Sequence, residues 1–177
     1  MRTLGTVVAA GVAALISTSA MAQDATSAIS SGNSELSVNG FLTYAGGTTV
    51  AFGGFSYGSF IDDATLLKIG VNASITSGGG FSSYTLGMRP AVNFYFPSEG
   101  STTVPYITAY GNITAIKTSG AFGSTSTQYG GGAGVGAKFF IKENIAFGPE
   151  VDYEYNRSSG GGGQGQAIAK LELSAYF

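Results

Sequence analysis

The 177-residue chain contains no cysteine, no histidine and no tryptophan. Without cysteine there is neither a disulfide framework nor a thiolate nucleophile. Without histidine a Ser-His dyad and imidazole ligation of zinc are both impossible. Charge is also scarce: Lys and Arg number 8 and Asp and Glu 10, together 10% of residues, against roughly 25% in an ordinary soluble domain. The net charge of -2 excludes the basic footprint that nucleic-acid binding requires, so no nucleic-acid partner is expected. Beyond the N-terminus no apolar run approaches the ~20 residues of a membrane-spanning helix.

What the chain does have is glycine (29 residues), aromatic residues (12%) and alternation. Residues 1–22 read as an export signal. Arg2 supplies the positive start, 4–16 an uncharged apolar run, and Ala20-Met21-Ala22 a small-x-small cleavage site before Gln23. Residues 23–34 are rich in Ser and Ala without a period, and read as a flexible periplasmic lead-in. The stretch 35–177 divides into eight segments whose side chains alternate with the two-residue period of a strand.

The segments run over 35–44, 49–61, 66–77, 81–96, 104–116, 128–141, 145–156 and 167–177. In the last, Ala167, Ala169, Leu171, Leu173, Ala175 and Phe177 oppose Ile168, Lys170, Glu172, Ser174 and Tyr176. In the third, Leu67, Ile69, Val71, Ala73 and Ile75 oppose Lys68, Gly70, Asn72, Ser74 and Thr76. The second is the least regular: Val50 and Phe52 read as outward, with a bulge at Gly53-Gly54 shifting the face after them. The sixth carries Gly130, Gly132, Gly134 and Gly136 on its inner face, a wall cleared for bulky side chains opposite or for water.

Within these segments Lys68, Arg89, Lys138, Lys170, Glu150, Asp152, Glu154 and Glu172 all fall on the polar face. A charge facing lipid at mid-bilayer costs about 2 to 4 kcal/mol for Arg or Lys, so this segregation is what a membrane barrel demands. The fold expected is all-β: a closed eight-stranded antiparallel up-and-down transmembrane barrel, the only non-helical architecture that satisfies every backbone group in lipid. Eight strands return the chain to its starting side, so both termini face the periplasm, with turns at 62–65, 97–103 and 142–144. Outer loops fall at 45–48, around 78–80, at 117–127 and at 157–165. Tyr44, Tyr84, Tyr129 and Tyr155 then ring the outer rim, and Phe94, Phe96, Phe139, Phe147 and Phe177 the inner one.

The stretch 133–146, Ala-Gly-Val-Gly-Ala-Lys-Phe-Phe-Ile-Lys-Glu-Asn-Ile-Ala, and the terminal strand ending in Phe177 resemble the small eight-stranded outer-membrane β-barrel family, the group of OmpX and the membrane domain of OmpA. The resemblance covers about 35–177. It implies an outer-membrane location among lipid and lipopolysaccharide, and Phe177 as the signal read by the barrel-assembly machinery during biogenesis. Because the family is functionally mixed, the resemblance implies place rather than activity.

The inner charges read as a lumenal ion-pair network rather than a catalytic or metal site, since eight-stranded interiors are filled by side chains. Counting across the turn near Asn144 sets Lys138 against Glu150, and across the loop near Gly161 sets Lys170 against Asp152. Arg89 and Lys68 are then left to reach Glu154 and Glu172. The run Gly132-Ala-Gly-Val-Gly-Ala137 fits a dinucleotide fingerprint, but no helix follows to receive a pyrophosphate, so no cofactor is expected. The reading is a non-enzymatic, monomeric envelope protein with a structural or surface-interaction role. A small pore or ligand-binding barrel with a wet lumen is the competing class, and a soluble exported barrel the third.

Overall fold

The computed structural model describes residues 25–120 and 123–177, with the backbone alone for residues 41, 43 and 45. The export signal expected over 1–22 lies outside the described residues. Eight strands follow in chain order: β1 (Ser34–Ala45), β2 (Thr48–Phe60), β3 (Thr65–Gly78), β4 (Phe81–Tyr95), β5 (Thr103–Ser119), β6 (Ser124–Lys142), β7 (Ile145–Ser158) and β8 (Gly163–Tyr176). Each pairs with the next and β8 returns to β1, closing the barrel. The closing seam is antiparallel and short, from Glu35↔Tyr176 to Asn39↔Glu172. Beyond it, towards the other end of the barrel, residues 40–45 of β1 and 163–171 of β8 are paired only with β2 and β7.

The local chemistry explains the connections. Gly46-Gly47 (φ 58 and 78) and Gly79-Gly80 (φ 58 and 80) form two-residue hairpin turns in which both positions need positive φ. The loop read over 117–127 is mostly strand: β5 and β6 stay paired up to Thr118↔Ser124, which shortens the connection to residues 120–123. Pro90 has no N–H to give, yet the β4–β5 register is the same on either side of it, with Met88↔Ile113 and Ala91↔Tyr110. Connections at the end holding the turns 61–64, 96–102 and 143–144 are no shorter as a group than those at 46–47, 79–80, 120–123 and 159–162. Turn length therefore does not tell the two ends apart. They are called here the turn end and the loop end.

Two expectations need correction. No bulge occurs at Gly53-Gly54: β2 pairs in one unbroken register with both neighbours, Gly54 lying between Asn39 and Asn72. An unbroken strand keeps one face throughout, so Val50 and Phe52 share the lumenal face of Ser56 and line the cavity inside the barrel. The second correction concerns the lead-in. Residues 25–33 are folded against the turn end, beginning with a short 3-10 helix, Ala25–Ser27. The Ala25 N–H donates to the Ser101 carbonyl (3.2 Å), Gly32 to Phe60 (3.2 Å), and Phe60 back to Asn33 (2.9 Å). The Ser31 N–H donates to the Asp63 carboxylate at 2.9 Å, and the Asn33 amide to the Ser27 carbonyl at 2.9 Å. Ala25, Ala28 and Ile29 are buried with Phe60, Leu66, Tyr95, Val104, Phe140, Ala146 and Tyr176 in one apolar cluster. This segment corks the turn end. It folds there because the inward-facing aromatics leave an apolar floor that water would otherwise touch.

The outside of the barrel carries the reverse of a soluble surface. Leu67, Ile69, Val71 and Ile75 are 45 to 50% exposed, Leu86 59%, Val135 61% and Tyr153 64%. The inside holds Lys138 and Glu35 at 0%, Asp152 at 1% and Glu172 at 3%.

Candidate functional site

The lumenal charges are delivered by six strands, each from an inward position of its alternation, and they gather into two clusters. Nearest the cork, Lys68 on β3 bridges Glu35 on β1 and Glu172 on β8, both at 2.9 Å. Lys138 on β6 reaches Glu172 at 2.5 Å and Glu35 at 3.6 Å, and donates to the Ser174 hydroxyl at 2.6 Å. Glu35 also accepts from Ser37 (2.6 Å), Tyr95 (2.8 Å) and Tyr176 (2.8 Å). Two cations therefore meet two carboxylates whose remaining lone pairs are filled by hydroxyls, the condition under which buried ions are tolerated.

One layer towards the loop end, Arg89 on β4 binds Asp152 at 2.7 Å and Glu150 at 3.5 Å. Lys170 on β8 binds the same pair at 3.0 and 2.7 Å. Glu150 further accepts from the Tyr106 hydroxyl at 2.7 Å, and the Arg89 guanidinium lies 3.2 Å from the centre of the Tyr110 ring, a cation–π contact.

The glycine wall explains how this packing is possible. A Cβ on Gly136 would stand 2.6 Å from the Tyr106 ring and 2.8 Å from the Pro149 carbonyl. A Cβ on Gly132 would stand 2.6 Å from the Tyr110 hydroxyl, and one on Gly134 would collide with the Asp152 carboxylate. Side chains from β5 and β7 thus lie flat across β6, which has none of its own there.

The structure brings together Lys68, Arg89, Lys138, Lys170, Glu150, Asp152 and Glu172, but not in all the expected pairs. Lys138 meets Glu172 and Glu35 instead of Glu150, and Arg89 meets Asp152 and Glu150 instead of Glu154. The cause is register. Gly136 pairs with Glu150, and the register slips between Phe140 and Lys142 at the start of the hairpin, so that the β6–β7 alignment is two residues away from a count centred on Asn144. On β8 the same displacement sets Lys170 opposite Glu150, though its long side chain still reaches Asp152. Glu154 takes part in none of the ion pairs among the described residues. It accepts instead from the Asn156 and Gln166 amides.

The residue that sequence reasoning missed is Glu35, which accepts from three hydroxyls and the Lys68 ammonium and forms a longer ion pair with Lys138. The signal was present in parity: Glu35, Ser37 and Asn39 alternate with outward Leu36 and Val38. No group of three or more acidic, His or Cys residues is placed to hold a metal ion among the described residues. Phe177 is 68% exposed at the turn end, and its backbone exchanges hydrogen bonds with Ser34 (2.8 and 3.1 Å).

No protein-family model and no curated protein matches the chain. Among solved structures it is similar to the N-terminal β-barrel domain of OprF from Pseudomonas aeruginosa, at 17% identity and a TM-score of 0.62, over 83% of this chain and 98% of that one. It is also similar to the outer-membrane protein OprG of the same organism, at 11% identity and a TM-score of 0.53, over 84% and 97% respectively. The chain has the fold of the eight-stranded outer-membrane β-barrels.

Proposed function

We propose that the protein is an integral outer-membrane barrel with a structural or surface-interaction role, non-enzymatic and monomeric, both termini facing the periplasm. The observation that carries this reading is the inverted surface. Apolar side chains such as Leu86, Val135 and Val151 are more than half exposed around the barrel, while Lys138, Glu35 and Asp152 are within it. A continuous apolar belt of this kind exceeds what soluble monomers expose and matches a hydrocarbon layer. Its partners are then outer-membrane lipid and lipopolysaccharide, with Phe177 recognised by the barrel-assembly machinery.

Expressed with its signal, the protein should fractionate with outer membranes, resist alkaline carbonate extraction and migrate faster on gels unless boiled. Release by carbonate into the soluble fraction would refute the reading and favour a soluble exported barrel. A through-pore is opposed by the cork and by the fully buried cluster at Lys138. Refolded protein in planar bilayers should accordingly show no steady unitary conductance, and defined openings would overturn the closed-barrel role.

A further inference from the structure

At the loop end β1 and β2 stay paired as far as Ala45↔Thr48, and β7 and β8 as far as Arg157↔Gly163. Between β1 and β8 the pairing stops at Asn39↔Glu172. In the same register Leu42 would meet Ala169 and Tyr44 would meet Ala167, but these pairs do not form. The wall is therefore slit on one side, from Asn39 to the loop end. Exposure agrees: Leu42 is 74% and Tyr44 73% exposed, above every other large apolar side chain among the described residues. Gln164 and Gln166 are exposed as well, although their parity on β8 turns them to the lumen.

The slit opens onto a cavity of about 480 Å³, and Asn39, Ile168, Ala169 and Lys170 beside the slit line it. This volume lies within the range of small-molecule sites, roughly 300 to 1,000 Å³. The charges around the cavity answer one another, Lys68 with Glu172, and Arg89 and Lys170 with Glu150. Glu154 accepts from two amides, so no ion is called for.

What the cavity has in surplus is apolar wall. Val50, Phe52, Ile116 and Ile168 line it from inward positions, where the other strands carry polar residues or glycine at this height. Ile168 flanks the slit on the β8 side, while Val50 and Phe52 stand on β2, one strand behind β1. Phe52 shares a row of the sheet with Ser74, Thr85 and Ile116, which carries the apolar surface to the far wall. Such surface is poorly accommodated by water, and the slit joins it to whatever bathes Leu42.

We propose that the slit is a lateral port through which one acyl chain of a membrane lipid enters the lumen. The inference rests on the membrane reading, since only a barrel embedded in lipid presents its slit to acyl chains. The chain lies along Ile168, Phe52 and Val50 towards Ile116, and its head group stays outside near Tyr44. The paired charges of Arg89, Lys170 and Glu150 form the floor that it does not pass. Strand edges without a partner are tolerated at membrane depth where they border a cavity, and that is where these edges lie.

The chain has no tryptophan and no cysteine, so both can be introduced as sole reporters. Phe52→Trp and the lipid-facing Leu86→Trp, adjacent to the row of Phe52, are refolded into phosphatidylcholine vesicles with brominated or ordinary acyl chains. Bromine should quench the tryptophan emission of both. Adding Leu42→Cys and Ala169→Cys allows the slit to be locked, because paired strands bring such Cα atoms to about 5.5 Å, within disulfide reach. Oxidation should abolish most of the quenching in Phe52→Trp and reduction restore it, while Leu86→Trp stays quenched throughout. Should Phe52→Trp not refold, as judged by gel migration, Ile116→Trp takes its place; should the cysteines not oxidise, Tyr44→Cys with Ala167→Cys replaces them. Loss of quenching in Leu86→Trp would remove the membrane reading itself. With Leu86→Trp quenched, a lumenal variant that is not quenched, or whose quenching the disulfide leaves unchanged, would overturn the port alone. Cysteines that oxidise only between two barrels would assign the strand edges to a second copy and overturn it likewise.

Discussion

Lys138 touches two carboxylates and a serine hydroxyl while none of its side chain is exposed, so its removal leaves Glu172 and Glu35 with a single cation between them. Stranding a buried partner costs about 3 to 5 kcal/mol. Lys138→Met should lower the urea midpoint of the refolded barrel by an amount of that order, and adding Glu172→Gln should recover part of the loss. Equal midpoints for the single and double variants would show that Lys138 contributes by packing alone.

Glycines separate in the same way. Gly136→Ala forces a methyl against the Tyr106 ring at 2.6 Å and should cost about 1 to 3 kcal/mol by overpacking. Gly53→Ala, with nothing within 4 Å of the added methyl, should leave the midpoint in place. In the turn 61–64, the Asp62 carboxylate accepts from the N–H groups of Ala64 (2.8 Å) and Thr65 (2.7 Å). The Ala64 bond first, then Thr65, hold its pKa below the ordinary 3.8. A depressed carboxylate stabilises the fold above its unfolded pKa and ceases to as pH falls through the folded one. The protection factors of the Ala64 and Thr65 amides should therefore fall only below about pH 4, and Asp62→Ala, which removes the acceptor, should make them low and independent of pH in that range.

Among the elements, the cork and the β5–β6 hairpin depart furthest from the expected pattern. Residues 25–33 bury Ile29 to 1% exposure, and Ile29→Ala should destabilise the protein by about 2 to 4 kcal/mol through the cavity it leaves. Deletion of 25–33 should lower the urea midpoint while the barrel keeps its heat-sensitive gel migration, since no strand pairing depends on this segment. A deletion variant that no longer refolds would make the cork part of the barrel's folding unit. The β5–β6 pair extends to Thr118↔Ser124 with hydroxyl side chains that pair as readily as apolar ones in a projecting ribbon. Composition alone made 117–127 look like a loop.

For the whole molecule, closure decides which charges meet. Strand number, the sides of most strands and the inward set of Lys68, Arg89, Lys138, Lys170, Glu150, Asp152, Glu154 and Glu172 were legible in the sequence, because alternation is a local property: successive side chains point to opposite faces whatever the strand pairs with. Partner choice was not legible. A register displaced by two residues keeps every side chain on its face and so leaves the pattern untouched, yet it moves Lys138 from Glu150 to Glu172 and leaves Glu154 without a cation. The inward side of Val50 and Phe52, the place of Glu35 at the centre of a cluster, and the folding of 25–33 over the turn end likewise depend on contacts distant in the chain. The sequence by itself determined a barrel with its charges inside. The tertiary structure decided which charges pair, which end is closed, and where the closing seam stops short of the rim, because each of these depends on how far the strands are staggered when the sheet meets itself.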